Sequence, residues 1–329
     1  MRAIQYHQFG DYDVLGAATV REPVAPEGWA VVRIVLAGVS PLDNTARLGK
    51  LPAGAIKPFP VVPGVTGVGV LVEPGTSDLP VGTRVVLGGG RYGLGVDGTW
   101  AELVAADPAN LVPVPDAVDD TAAAALTTGA GHLTALLTLT DVVDFRPGGT
   151  VLAPGVGGAV GQGGVEIARV LGASQAITTA TSSAKAAKGR EAGFEVIDLT
   201  RESLRDGVKR ITDGKGVDVV LDGVGGAITG EALGSLAAHG SLVSIGYSAA
   251  MTATIDVTDL IWKNAHVHGF RVAAYTPEQT RAANAKLLDL VAQKEINPIV
   301  DSVFPLADAA RAQRHLIEGG PFGRVLLAA

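Results

Sequence analysis

The stretch Val151-Leu152-Ala153-Pro154-Gly155-Val156-Gly157-Gly158-Ala159-Val160-Gly161 breaks a short apolar run into glycines, and the chain resumes as Val165-Glu166-Ile167-Ala168-Arg169-Val170-Leu171-Gly172. This predicts a strand, a tight turn and a helix, in that order. Glycines at 155, 158 and 161 let a backbone turn sharply, approach a pyrophosphate without interference from Cβ, and seat the helix close to the strand. The N–H groups at such a helix start face the phosphates. Gly155, Gly157, Gly158, Ala159, Val160 and Gly161 are therefore candidate cofactor-binding residues. The strict G-x-G-x-x-G form is not met, and 44 glycines in 329 residues produce such spacings by chance, so the context decides.

That context is a regular alternation. Ala176–Thr179 reads as a second strand, followed by an Ala/Lys-rich helix from Ser183 to Ala192 that stops at Gly193. Val196–Asp198 is a third strand and Leu204–Thr212 a helix; Val217–Asp222 is a buried-type strand, Glu231–Ala238 a helix and Leu242–Gly246 a further strand. The pattern is that of a doubly wound parallel sheet. An α/β domain without a nucleotide is the plainer reading, and strand, glycine turn and helix in the correct order favour a dinucleotide site over it.

Upstream of residue 125 the texture changes to short β-rich runs, Trp29–Val35, Val68–Val72 and Thr83–Leu87, punctuated by Pro and Gly. These suggest a compact barrel-like β domain. After the α/β segment the chain returns to a helix, Pro277–Gln293, and a last strand, Arg324–Leu327, so the first and last segments read as one domain interrupted by the second. An apolar fraction of 47% suffices for two cores. No segment reads as long and apolar enough to span a bilayer, and Met1–Tyr6 reads as a first strand rather than a signal peptide, which points to the cytoplasm. A net charge of −7 argues against nucleic-acid or membrane-surface partners. The absence of cysteine excludes disulfides, thiolate nucleophiles and cysteine-ligated metals.

Gly38-Val39-Ser40-Pro41-Leu42-Asp43, Pro63-Gly64-Val65-Thr66-Gly67-Val68-Gly69, Gly98-Thr99-Trp100-Ala101-Glu102, the glycine turn, and Phe304-Pro305-Leu306 leading to Gly323-Arg324-Val325 occur in one order along the whole chain. In this the sequence resembles the medium-chain dehydrogenase/reductase superfamily, and within it the zinc-free quinone oxidoreductase, zeta-crystallin-like branch. The resemblance implies a GroES-like β-rich catalytic domain (1–124 and 270–329) holding a Rossmann doubly wound parallel sheet domain (125–269), usually as a homodimer. Leu242–Ile245 and Met251–Val257 are the dimer strands it suggests.

Where zinc alcohol dehydrogenases of the superfamily carry catalytic ligands, this chain has Ser40, Val65, Thr66 and, by alignment, Ala130. Ser40, Val65 and Ala130 are not normal zinc ligands, so no metal site is expected. Hydride addition to a simple ketone leaves an alkoxide that needs a Lewis acid or a placed proton donor. The five tyrosines, Tyr6, Tyr12, Tyr92, Tyr247 and Tyr275, all lie outside the Ser40–Leu51 segment where relatives often have them; Thr45 and Leu51 stand there instead. A quinone or a carbonyl-conjugated alkene asks for less, because the charge left by hydride is delocalised and water can complete protonation. Candidate catalytic contacts are Ser40, Asp43, Thr66 and Thr128. Ser40 and Asp43 equally suit a cap on a helix starting near Pro41, and Thr66 and Thr128 suit ordinary backbone bonding. His132, flanked by Leu133 and Leu136, reads better as a buried structural histidine than as an acid.

An NAD-specific site carries an Asp or Glu about 20 residues past the glycine turn. Ser174–Lys185 contains no acid, whereas Thr181, Ser182 and Lys185 match the Ser/Thr-plus-Lys pattern of relatives that use NADPH. The plainer reading of Thr181–Lys185 is a helix cap with a solvated lysine. The resemblance adds Gly246, Tyr247, Phe270 and Arg271 to the cofactor contacts, and replaces with Leu199 a tyrosine that relatives place beside the adenine. The sequence thus leads to an NADPH-dependent reductase of a small-molecule quinone or enone. A non-catalytic NADPH-binding regulatory or structural protein is the alternative, and an alcohol dehydrogenase a distant third.

Overall fold

The computed structural model describes residues 1–89 and 91–329. The chain divides into two compact units, residues 1–129 with 273–329, and residues 130–272. The crossings thus fall at 129/130 and 272/273, a few residues beyond the 124/125 and 269/270 that the family resemblance implies.

The first unit begins with a separate pair, β1 (Arg2–Gln5) and β2 (Gly16–Thr19). It continues through β3 (Ala30–Val39), α1 (Pro41–Arg47), β4 (Gly67–Glu73), β5 (Arg84–Leu87), β6 (Leu103–Ala106), β7 (Leu111–Pro113) and α2 (Asp120–Thr127). The second unit comprises α3 (Gly131–Leu137), β8 (Thr150–Ala153), α4 (Ala159–Val170), β9 (Gln175–Ala180), α5 (Ser183–Glu191), β10 (Glu195–Asp198), α6 (Leu204–Ile211), β11 (Val217–Asp222), α7 (Ala227–Gly234), β12 (Leu236–Ser244), α8 (Val257–Lys263) and β13 (His266–Gly269). The chain then completes the first unit with α9 (Pro277–Ala292), β14 (Val300–Pro305), α10 (Ala309–Glu318) and β15 (Arg324–Ala328).

In the first unit a seven-stranded sheet runs β14-β15-β3-β4-β5-β7, with β6 also paired to β3. β3 is its axis: apolar residues on both of its faces, among them Ala30, Val32, Ile34, Ala37 and Val39, are buried in the core. β15 lies antiparallel to β3, which places the end of the chain inside the sheet begun by its first hundred residues. Trp100 is fully buried and its indole Nε1 donates to the Gly38 carbonyl at 2.9 Å, fixing the end of β3.

In the second unit six parallel strands run β10-β9-β8-β11-β12-β13, the doubly wound order. Leu152, Ile177, Ile197, Val220 and Leu242 line one core from successive strands. Two expectations are corrected here. The helix expected over Glu231–Ala238 runs from Ala227 to Gly234, because the chain re-enters the sheet at Leu236, paired with Val217 ahead of a bulge. Leu242–Ile245 is not an edge: β12 is flanked by β11 and β13, and Leu242 and Val243 are fully buried. Met251–Asp256 is likewise outside any strand and Val257 opens α8, leaving β13 as the open edge.

A third expectation also changes. Asp120–Val142 is long and apolar enough to cross a membrane by length and composition, yet 83% of its apolar window is buried within the fold. The run is interrupted at Gly129 and Ala130, both with positive φ, so it is core rather than one continuous span.

Candidate functional site

The glycine turn joins β8 to α4. Gly155 adopts φ +91°, which L residues rarely take, and a Cβ on Gly161 would stand 2.0 Å from the Gly155 carbonyl oxygen. The turn is tied to β9: Gly155 N donates to Thr179 Oγ1 at 3.1 Å and Val156 N to the Thr179 carbonyl at 2.8 Å. Gly158 is the cap residue of α4 and has no side chain to meet the first-turn N–H groups. A twelve-residue helix opening on an uncapped glycine turn fits a pyrophosphate, and Gly157, Ala159 and Val160 lie in that same turn and helix start.

Thr181, Ser182 and Lys185 follow the end of β9. Ser182 does cap α5, accepting from Lys185 N at 3.3 Å, so the helix-cap reading is realised there. Thr181 is exposed, and Lys185 is half-buried with no ion pair among the described residues. Sequence reasoning missed the neighbouring acid: Asp198, closing β10, accepts from Thr200 Oγ1 at 2.6 Å, Thr200 N at 3.0 Å and Ser183 Oγ at 2.7 Å. The Thr200 and Ser183 hydrogen bonds pull its carboxyl down to about 2. Gly246 and Tyr247 follow β12, with Tyr247 exposed, and Phe270 and Arg271 follow β13. All four groups therefore lie beyond the C-terminal ends of parallel strands, where open α/β sheets receive ligands.

In the first unit the candidate polar residues gather at the end of β3. Ser40 caps α1 in a capping box: Asp43 Oδ2 accepts from Ser40 N at 2.8 Å and from Ser40 Oγ at 2.6 Å, while Oδ1 accepts from Gly64 N at 3.2 Å. Ser40 and Asp43 are only 2% and 3% exposed. Burial pushes the Asp43 carboxyl up to about 6 against the pull of these hydrogen bonds. Thr66 and Thr128 meet at Gly38, where a Cβ would lie 2.7 Å from Thr66 Oγ1 and 2.3 Å from Thr128 Oγ1. Thr128 Oγ1 donates to the Ala124 carbonyl at 2.7 Å, so backbone bonding holds for that residue. Thr66 differs. Its carbonyl accepts from Thr99 Oγ1 at 2.7 Å and from Gly38 N at 3.0 Å, but its own buried hydroxyl has no partner among the described residues.

Nothing in the sequence pattern pointed to Tyr6. It is fully buried, its hydroxyl has no partner among the described residues, and burial with the nearby Asp43 carboxylate pushes it up to about 12. His132 lies in the second unit with Nε2 2.6 Å from Glu166 Oε2, pinning α3 to α4. Among the described residues no three His, Asp or Glu side chains gather as a metal site would require.

Two family models match: the alcohol dehydrogenase GroES-like domain over residues 26–116 and the zinc-binding dehydrogenase over residues 159–292. Quinone oxidoreductase-like protein 2 of Bos taurus is 30% identical over 275 residues, 82% of this chain and 76% of that protein. The synaptic vesicle membrane protein VAT-1 homolog of Homo sapiens is 29% identical over 349 residues, 99% of this chain and 86% of that protein. The crystal structure of Escherichia coli quinone oxidoreductase complexed with NADPH superposes with a TM-score of 0.87 at 27% identity, covering 100% of both chains. The chain belongs to the medium-chain dehydrogenase/reductase superfamily of oxidoreductases, in its quinone oxidoreductase-like branch.

Proposed function

We propose that this protein is a zinc-independent, NADPH-dependent reductase that transfers hydride to a small-molecule quinone or carbonyl-conjugated alkene. One observation carries the reading: of the polar side chains of Ser40, Asp43, Thr66 and Thr128, only the Thr66 hydroxyl is left without a partner among the described residues. A single neutral donor suits an acceptor whose developing charge is delocalised, and falls short of the Lewis acid that a simple alkoxide requires. The donor set supports the same choice, since the chain has no cysteine and its ligand-position residues, Ser40, Val65 and Ala130, do not fit zinc.

A nicotinamide cofactor, when bound, would supply the hydride. The N–H groups at the start of α4 would hold its pyrophosphate, and Lys185 with Thr181 and the Ser182 hydroxyl would meet a 2′-phosphate; the absence of an acid from Ser174–Lys185 supports NADPH over NADH. Thr66 Oγ1 donates to the acceptor oxygen. Ser40 does not compete for that role while Asp43 is ionised, because its proton is committed to the carboxylate. Solvent water completes protonation. A homodimer belongs to this reading, and the exposed Met251, Val257, Ile261 and Trp262 supply apolar surface for it.

The test is NADPH oxidation at 340 nm with 1,4-benzoquinone, a 2-alkenone and a saturated ketone in parallel, and NADH as control. The first or second acceptor should turn over and the third should not. Turnover of the saturated ketone alone would overturn the reading, and failure with all three would favour a non-catalytic NADPH-binding protein.

A further inference from the structure

Within the second unit, β9 and β10 run parallel and end together: Ala180 pairs with Asp198, and Leu199 N donates to the Ala180 carbonyl at 2.9 Å. Thr181–Ser182 and Thr200–Arg201 therefore leave neighbouring strands at the same end of the sheet. The two segments meet at one carboxylate oxygen. Asp198 Oδ2 accepts from Ser183 Oγ at 2.7 Å and stands 3.6 Å from Arg201 Nε. The other oxygen accepts from Thr200 Oγ1 at 2.6 Å and from Thr200 N at 3.0 Å, so the buried acid is satisfied without Arg201. The Arg201 side chain is 77% exposed, and a pair at 3.6 Å is longer than a hydrogen bond and holds such a guanidinium only weakly. Glu202, the other acid of this turn, lies 2.7 Å from Arg210 Nη2 instead. Arg201 thus stands beside the first residue of α5 with donors to spare.

We propose that Arg201 is a specificity-determining residue that turns from Asp198 to a 2′-phosphate and, together with Lys185, selects NADPH over NADH. The inference rests on the NADPH reading given above and adds a residue to it. Charge balance is the reason. A phosphate monoester brings a charge of about −1.5 to −2 to Thr181, Ser182 and Lys185. Asp198 is a further anion nearby, since its hydrogen bonds from Thr200 and Ser183 hold its carboxyl down to about 2. Lys185 alone does not balance the phosphate and the carboxylate together; a second cation does. A planar guanidinium fork also matches two phosphate oxygens at once. A cofactor with a 2′-hydroxyl leaves Arg201 resting on Asp198, so the residue acts on one cofactor and not on the other.

The experiment titrates 2′,5′-ADP and 5′-AMP into the full-length protein by calorimetry; the two nucleotides differ at the 2′-phosphate and lack the nicotinamide, so affinity is read without turnover. Arg201→Ala should weaken 2′,5′-ADP about fivefold to tenfold and 5′-AMP by less than about twofold. Arg201→Lys should recover part of the loss and Arg201→Glu deepen it, a response to the sign of the charge that a packing role does not give. Added salt should narrow the difference between wild type and Arg201→Ala. Circular dichroism reports folding of each variant. Unchanged 2′,5′-ADP affinity in folded Arg201→Ala, or equal losses for the two nucleotides, overturns the proposal. Equal affinity of the wild-type protein for both nucleotides overturns the NADPH reading along with it, whereas a wild-type preference for 2′,5′-ADP that survives Arg201→Ala overturns this inference alone.

Discussion

The Ser40 hydroxyl donates to Asp43 Oδ2 at 2.6 Å, and the same carboxylate also accepts the backbone N–H groups of Ser40 and Gly64. One buried acid thus closes the first turn of α1 and fixes the Gly64 loop. Its proton is held more tightly in the folded chain than in the unfolded chain, since its value rises from 3.8 to about 6. The folded state therefore binds more protons between those values, and stability falls as pH rises. The contribution is fully present below 3.8 and lost as pH passes 6. Relative to wild type, Asp43→Asn should gain roughly 2.4 kcal/mol of unfolding free energy between pH 4 and pH 7, measured by urea denaturation. A pH-independent gap between the two proteins would show that Asp43 holds no such proton.

Thr66→Val removes a hydroxyl with no partner among the described residues. Unfolding free energy should stay within about 1 kcal/mol, while kcat for the quinone or enone falls roughly tenfold to a hundredfold. An unchanged kcat would reduce Thr66 to a packing residue.

Lys185→Ala should weaken NADPH binding by roughly tenfold to a hundredfold and leave NADH nearly untouched, as read by fluorescence titration. Equal losses for both cofactors would remove Lys185 from the 2′-phosphate contact.

Gly161→Ala forces a methyl group to within 2.0 Å of a backbone oxygen that cannot rotate away. The α4 start must shift, with a loss of about 1–3 kcal/mol in stability and of NADPH binding. Calorimetry on the purified variant checks both.

Tyr6→Phe deletes a buried hydroxyl that has no partner among the described residues. The variant should gain about 1 kcal/mol in urea denaturation, because an apolar edge replaces an uncompensated polar one. A loss would reveal a hydrogen bond made only in solution.

The parts of the fold that the sequence disclosed are those where periodicity and special backbone coincide. β8, the Gly155 turn and α4 combine an apolar run, an obligatory glycine and an amphipathic helix, and Val217–Asp222 is a strand over the same six residues as read. β13 escaped notice because four residues containing two histidines and a glycine carry little strand propensity; their place is set by pairing with Ser241–Ser244. Missing it made β12 look like an edge. At the candidate site, the Ser40–Asp43 cap was legible from three-residue spacing. The pairings of Asp198 with Ser183 and of His132 with Glu166 join residues 15 and 34 apart, distances at which no periodicity speaks.

β15 is hydrogen-bonded between β14 and β3, so the first unit's sheet closes only when Arg324–Ala328 is available. The second unit is one uninterrupted stretch, residues 130–272. During synthesis the second unit can therefore fold while the first still exposes a flank of β3 to the ribosomal surroundings. That waiting flank is the point at which a chaperone, or an errant strand from another chain, has its opportunity.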